Sequence, residues 1–104
     1  MDKPEIITPE NLLCNFLKKN YFGAGNPVSS KVLEVVFQVK GTEIRKMVNQ
    51  LRSTGNPICS DRDGYYYAAN RNDVLGTVAQ LNSRIKQISN ARDGLESWMN
   101  GQAI

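Results

Sequence analysis

The sequence of 104 residues contains no histidine and only two cysteines, Cys14 and Cys59. Structural zinc sites need Cys and His ligands at short spacings, and two distant cysteines without a CxxC pair do not supply them. We therefore expect no metal site, and we interpret both cysteines as small, half-buried, reduced thiols. Acidic residues are scattered, and Gly23 and Gly25 are not followed by the Lys and Ser/Thr of a phosphate-binding loop. The sequence thus favours a protein without cofactors that is not an enzyme.

Long apolar runs are also absent. No stretch approaches the roughly 20 apolar residues that a membrane span needs. The first nine residues contain two acids and two prolines and lack the apolar segment of a signal peptide. We expect a soluble protein of the bacterial cytoplasm or of a phage-infected host, with no membrane partner. A chain of this length with 40% hydrophobic residues has room for a single folded core.

Three helices are predicted in the first half of the chain. Thr8 as N-cap and Pro9 at the first helical position begin the first helix. A second helix begins at Ser29 or Ser30, and a third runs from Thr42 to about Thr54 after a break at 39–41. Helical spacing predicts these inward-facing residues: Leu12, Leu13, Phe16 and Leu17 in the first helix; Val32, Leu33, Val36 and Phe37 in the second; Ile44, Met47, Val48 and Leu51 in the third.

A hairpin and a long helix are predicted in the second half. Two short strands, 58–60 and 65–68, flank a turn at 61–64 in which Gly64 takes a positive φ. Strand alternation places Tyr65 and Tyr67 on one face and Tyr66 on the other, which favours packing of these rings over a base-stacking platform. The long helix runs from about Asn72 or Asp73 to near Met99.

Two stretches resemble the winged helix-turn-helix family, which includes the DNA-binding domain of the biotin operon repressor and small phage and mobile-element regulators. VSSKVLEVVFQVKGTEIRKMVNQLRSTG resembles the helix-turn-helix, and NPICSDRDGYYYA resembles the wing. The resemblance implies a mainly α fold with a small β-hairpin wing and a double-stranded DNA ligand. We divide the chain into a winged helix-turn-helix domain at 1–71 and a C-terminal dimerisation helix at 72–104.

The polar face of the third helix has side chains suited to the major groove. Asn and Gln can pair bidentately with adenine, and Arg and Lys with guanine. The residues predicted on or beside this face are Thr42, Arg45, Lys46, Asn49, Gln50 and Ser53. Phosphate contacts are expected from Ser29, Ser30, Lys31, Lys40 and Arg52. Arg62, at the tip of the wing, could enter a minor groove or contact the backbone.

The net positive charge is concentrated in the same region. The net charge is +3, and residues 28–72 carry the whole excess, with seven cations and four acids. So small an excess indicates polyanion binding only weakly.

The last helix carries apolar residues at alternating steps of four and three, the spacing of a two-helix seam. Such a stripe could pack on its own domain, as we expect for its first half, or pair with a second copy. A helix of about 27 residues spans roughly 40 Å, longer than so small a domain needs. The residues expected at a dimer seam are Val78, Leu81, Ile85, Ile88, Arg92 and Leu95, of which only Arg92 is polar.

Two functions remain open on the sequence alone. The leading hypothesis is a homodimeric, sequence-specific DNA-binding protein, either a transcriptional regulator or a replication-origin binder of a phage or mobile element. The alternative is a winged-helix interaction module that does not bind DNA, such as an assembly factor or an inhibitor of host machinery, whose last helix contacts another protein.

Overall fold

A computed structural model describes residues 7–102 of the chain. Its elements are α1 (Pro9–Asn20), α2 (Ser30–Phe37), α3 (Gly41–Ser53), β1 (Ile58–Asp61), β2 (Gly64–Tyr67) and α4 (Arg71–Gly101). The predicted fold class is confirmed: the protein is mainly helical, with one small antiparallel hairpin and a long C-terminal helix.

Side-chain caps explain where three of the helices begin. The Thr8 side chain accepts a hydrogen bond from the Asn11 N–H, the Ser29 side chain from the Val32 N–H, and the Asn70 side chain from the Asp73 N–H. Each cap satisfies a backbone donor that has no partner within its helix. α3 has no side-chain cap and begins at Gly41, one residue earlier than predicted.

The main core lies where the first three helices meet the hairpin. Leu13 and Leu17 of α1 and Leu33 of α2 are fully buried. The whole predicted inner face of α3 is buried as well, which confirms that part of the prediction: Ile44, Met47, Val48 and Leu51.

Three residues predicted to face inward do not. Leu12, Val32 and Val36 are each between 40% and 50% exposed. α2 has only eight residues and buries Leu33 alone, with Phe37 partly buried against the core. Val32 and Val36 form a neighbouring stripe on the same helix, and that stripe faces outward because no other element covers it.

The hairpin is flanked on both edges. β1 and β2 pair in the register Cys59↔Tyr66, and the outer edge of β2 pairs with Val28, whose N–H and C=O both bond Tyr65 at 2.8 Å. Gly64, at φ +144°, adjoins this segment so closely that a Cβ would overlap the Val28 carbonyl. The positive φ was predicted, whereas the pairing with Val28 was not.

The tyrosines alternate as predicted. Tyr66 packs with Cys59 and Ala68 against the start of α4, while Tyr65 and Tyr67 pack on the main core. Burial raises the pKa of the Cys59 thiol and of the Tyr66 hydroxyl, since both lose solvation of their charged forms. Cys59 is therefore more deeply buried than predicted.

α4 packs on the domain only through its first turns. Thr77 is 5% exposed against β1, Val74 and Leu81 are half-buried, and from Asn82 to Gln102 every side chain except that of Ser89 is exposed. The radius of gyration is 17.7 Å, against about 13 Å for a compact domain of this length. More than half of α4 therefore extends into solvent.

Candidate nucleic-acid interface

A tight turn joins α2 to α3. It comprises residues 38–40, with Gln38 in the left-handed conformation at φ 53° and ψ 46°. The N–H groups of Gln38 and Val39 both donate to the Glu34 carbonyl, which ends α2. A turn of this length holds two helices at a steep angle in helix-turn-helix motifs.

α3 presents a continuous polar face to solvent. Its four buried apolar residues fix the helix against the core, so the opposite face is held rigidly. The predicted base-contacting residues lie along the helix, and all six are exposed: Thr42, Arg45, Lys46, Asn49, Gln50 and Ser53.

Two residues of this face, Lys46 and Ser53, make contacts within α3. Lys46 Nζ lies 3.5 Å from Glu43 Oε1, with both side chains more than half exposed, so the pair is weak and open to exchange. Ser53 Oγ donates to the Asn49 carbonyl at 2.8 Å, which uses the only donor of its hydroxyl.

The start of α2 and the turn carry the predicted phosphate contacts. Ser29 Oγ accepts the Val32 N–H and keeps its hydroxyl donor free for an anion. Ser30 Oγ donates to Glu34 Oε2 at 3.4 Å, so its hydroxyl is already engaged. Lys31 and Lys40 are exposed.

Arg52, an expected phosphate contact, donates hydrogen bonds to the hairpin. Its Nε donates to the Ile58 carbonyl at 2.7 Å and its Nη2 to Ser60 Oγ at 3.1 Å. Partial burial lowers the pKa of its guanidinium from the ordinary value, with nearby Arg84 adding to the shift. The structure thus gives Arg52 a role in joining α3 to β1.

The wing is short. Only Arg62 and Asp63 lie between the paired residues Asp61 and Gly64, and Asp61 Oδ1 accepts the N–H groups of both Asp63 and Gly64. The exposed Arg62 side chain therefore lies between two carboxylates at the tip of the hairpin.

A shallow depression beside the wing brings together residues that are distant in sequence. It has a volume of about 340 Å³ and includes Ser29, Ser30 and Arg62 together with Arg84 of α4. Arg84 was not predicted here. It lies two helical turns beyond Thr77, the residue that contacts β1, so it projects on the hairpin side of α4. The sequence alone does not reveal the contact between Thr77 and β1.

The expected dimer seam is mostly uncovered. Val78 is 43% exposed, Leu81 is half-buried, and the other four expected residues, Ile85, Ile88, Arg92 and Leu95, are each more than half exposed. Trp98 and Met99 are also exposed at the end of the helix.

An apolar groove adjoins the first turns of α4. It has a volume of about 320 Å³, and its lining includes Pro57, Ile58, Val74, Val78 and Leu81. No group of His, Cys, Asp and Glu side chains within residues 7–102 is placed to hold a metal ion. In the same range no helix is long and apolar enough to cross a membrane.

Comparison with models of protein families, with curated proteins and with solved structures finds no match to this chain.

Proposed function

We propose that this protein is a homodimeric, sequence-specific double-stranded DNA-binding protein of the winged helix-turn-helix type, with α3 as its recognition helix. The observation that carries the proposal is the division of α3 into a buried apolar face and an exposed polar face, placed directly after a three-residue turn. A helix with this support can enter a major groove, which is wide enough to admit one.

Different side chains along α3 are suited to different bases. Asn49 and Gln50 have the paired donor and acceptor that recognise adenine, and Arg45 and Lys46 have donors for guanine. Ser29 and Lys31 lie at the start of α2 and Lys40 lies directly before α3, where phosphate contacts would orient the domain without reading sequence.

A dimer would place two such helices on a two-fold related site. The exposed seam of α4 supports self-association. Regulation of transcription and binding of a replication origin in a phage or mobile element are both served by this activity, and we propose one of these roles.

The experiment is a titration of random-sequence duplex DNA, and then of sequences selected from that pool, at several salt concentrations. We expect log K to fall steeply with log salt for the wild-type protein. The double variant Lys46→Ala/Asn49→Ala should bind selected and random sequences more equally, because each bidentate pairing with a base contributes about 1–3 kcal/mol of discrimination.

The matched control is Asn15→Ala/Lys19→Ala, which removes the same two residue types from exposed positions on α1. It should retain selective binding. Undetectable or salt-insensitive binding by the wild-type protein would contradict the proposal.

A second candidate function is supported by α2. Val32, Val35 and Val36 are all exposed, with Val35 at 78%, and they form an apolar patch on the helix that precedes α3. This patch favours a protein-interaction module. Absence of DNA binding, together with loss of a protein partner on substituting Val35→Ser, would support that function instead.

A further inference from the structure

Along the exposed part of α4 the expected seam continues past Leu95 to Met99. Beyond its start, no described element covers the six seam residues considered from here on: Leu81, Ile85, Ile88, Arg92, Leu95 and Met99. We propose that a second copy of this chain covers the seam with its own α4 running antiparallel, the two-fold axis passing near Asn90. This inference rests on the proposed function for the homodimer itself. It adds the direction of the two helices and the register in which they pair.

Arg92 argues against parallel pairing. In a parallel, in-register pair each seam residue meets its own copy, so two guanidinium groups would share one layer of the interface. Like charges in one layer repel, and the exposed ion pair of each Arg92 with its own Asp93 offsets that repulsion only in part. In the antiparallel pair, residues equidistant from Asn90 face each other, and Arg92 packs beside Ile88 of the partner subunit.

The charged residues outside the seam also favour antiparallel pairing. Arg84 and Lys86 precede Asn90 with two positive charges, and the segment from Arg92 to Glu96 follows it with a net charge of −1, one cation against two acids. Arg92 lies 2.8 Å from Asp93 and 4.0 Å from Glu96 of its own helix. Antiparallel pairing therefore brings the basic segment of each helix to the height of the acidic segment of the other. Parallel pairing would place like charges at the same height, which is unfavourable.

The apolar groove fits the end of the partner helix. Leu81, which lines this groove with Val78 and Pro57, lies as far before Asn90 as Met99 lies after it. Met99 of the partner subunit is therefore brought to the mouth of the groove, where its flexible side chain suits an irregular apolar space. Antiparallel pairing thus covers both the seam and the groove.

The arrangement has a consequence for DNA. Arg71, the first residue of α4, lies 19 residues before the axis, so the two helix starts are about 57 Å apart at roughly 1.5 Å per residue. This exceeds the ~34 Å between successive major grooves on one face of DNA. The antiparallel dimer therefore separates the two starts of α4 by more than one helical turn of DNA.

Cysteine cross-linking distinguishes the two directions. Ile85 and Leu95 are both exposed, and antiparallel pairing places each opposite the other. Ile85→Cys and Leu95→Cys proteins, one carrying a size tag, are oxidised separately and as a refolded mixture at a concentration where the wild-type protein sediments as a dimer. We expect a disulfide-linked tagged/untagged species in the mixture, with each variant alone cross-linking no more than the wild-type chain.

Wild-type protein controls for the native thiols of Cys14 and Cys59, and circular dichroism controls for folding of each variant. Efficient linking of each variant to itself would establish parallel pairing and overturn the proposal. Absence of links in a sedimenting dimer would also overturn it, because the seam would not be the interface. A wild-type protein that is monomeric at micromolar concentration would overturn it as well. DNA binding is measured separately, so a cross-linked pair that fails to bind DNA keeps the antiparallel dimer and refutes only the proposed function.

Discussion

Arg45 and Arg52 lie two turns apart on the same side of α3, yet their surroundings differ. Arg45 is exposed, whereas Arg52 lies beside the hairpin and donates hydrogen bonds to the Ile58 carbonyl and the Ser60 hydroxyl. The difference arises because β1 approaches only the C-terminal turn of α3. One arginine is therefore free to meet a ligand, and the other holds two elements together.

We predict opposite effects from removing these two arginines. Arg52→Ala should lower the free energy of unfolding by about 1–3 kcal/mol, because the buried Ile58 carbonyl loses a charged donor. Arg45→Ala, at an exposed position, should change stability by less than about 0.5 kcal/mol and weaken DNA binding. Urea denaturation and DNA titration of both variants provide the test. If folded Arg52→Ala binds DNA less tightly with unchanged stability, Arg52 contacts phosphate as the sequence predicts.

Sequence periodicity could not separate these two residues. It places a side chain on a face of its own helix, and it correctly predicted all four buried residues of α3. It does not show which part of that face another element reaches. The hydrogen bonds of Arg52 to β1 therefore could not be predicted from its own helix, whereas the exposure of Lys46 and Asn49 follows from helical spacing alone.

At the scale of elements, β1 depends on α4 for the partners of its outer edge. The Ser60 N–H donates to Thr77 Oγ1 at 3.2 Å, and the Thr77 hydroxyl donates to the Ser60 carbonyl at 3.4 Å. β2 is paired on its other side with Val28. The hairpin is therefore held between a loop strand and a helix, which compensates for its short strands.

Thr77→Val tests this attachment. The substitution keeps the volume of the side chain and removes both hydrogen bonds, so we expect a loss of about 1–3 kcal/mol in stability. The Ser60 amide should also exchange with solvent faster than in the wild-type protein. Ser83→Val, at an exposed position on α4, is the control and should change stability little. Equal stability of the two variants would show that Thr77 does not anchor α4.

Local signals explain why most elements were predicted and why some packing was not. Thr8, Ser29 and Gly64 act within a few residues of their own position, so caps and the turn follow from the sequence. The pairing of Val28 with Tyr65 joins segments far apart along the chain, and no local pattern encodes it. Burial of Val32 and Val36 was wrong for a related reason, since an apolar stripe shows only that a helix is amphipathic.

At the scale of the whole molecule, one unit combines a small folded core with a helix that extends far beyond it. The extents of 65 × 31 × 28 Å reflect this shape. One domain of this size offers few phosphate contacts, so a single copy should bind DNA weakly at physiological salt. In the proposed dimer, the projecting helix would therefore link dimer stability to affinity for DNA.

We predict that a chain ending after Arg84 is a folded monomer. It keeps Thr77 and the packing of α4 on β1 but lacks Ile85, Ile88, Leu95 and every seam residue beyond them. Sedimentation should show a monomer at concentrations where the full chain is a dimer. A chain ending after Gly101 keeps all of α4 and is the control.

Because a monomer contacts one half-site, its slope of log K against log salt should be about half that of the dimer. A truncated chain that still dimerises would place the interface within the first 84 residues, and a full-length monomer at micromolar concentration would remove the dimer from the proposed mechanism.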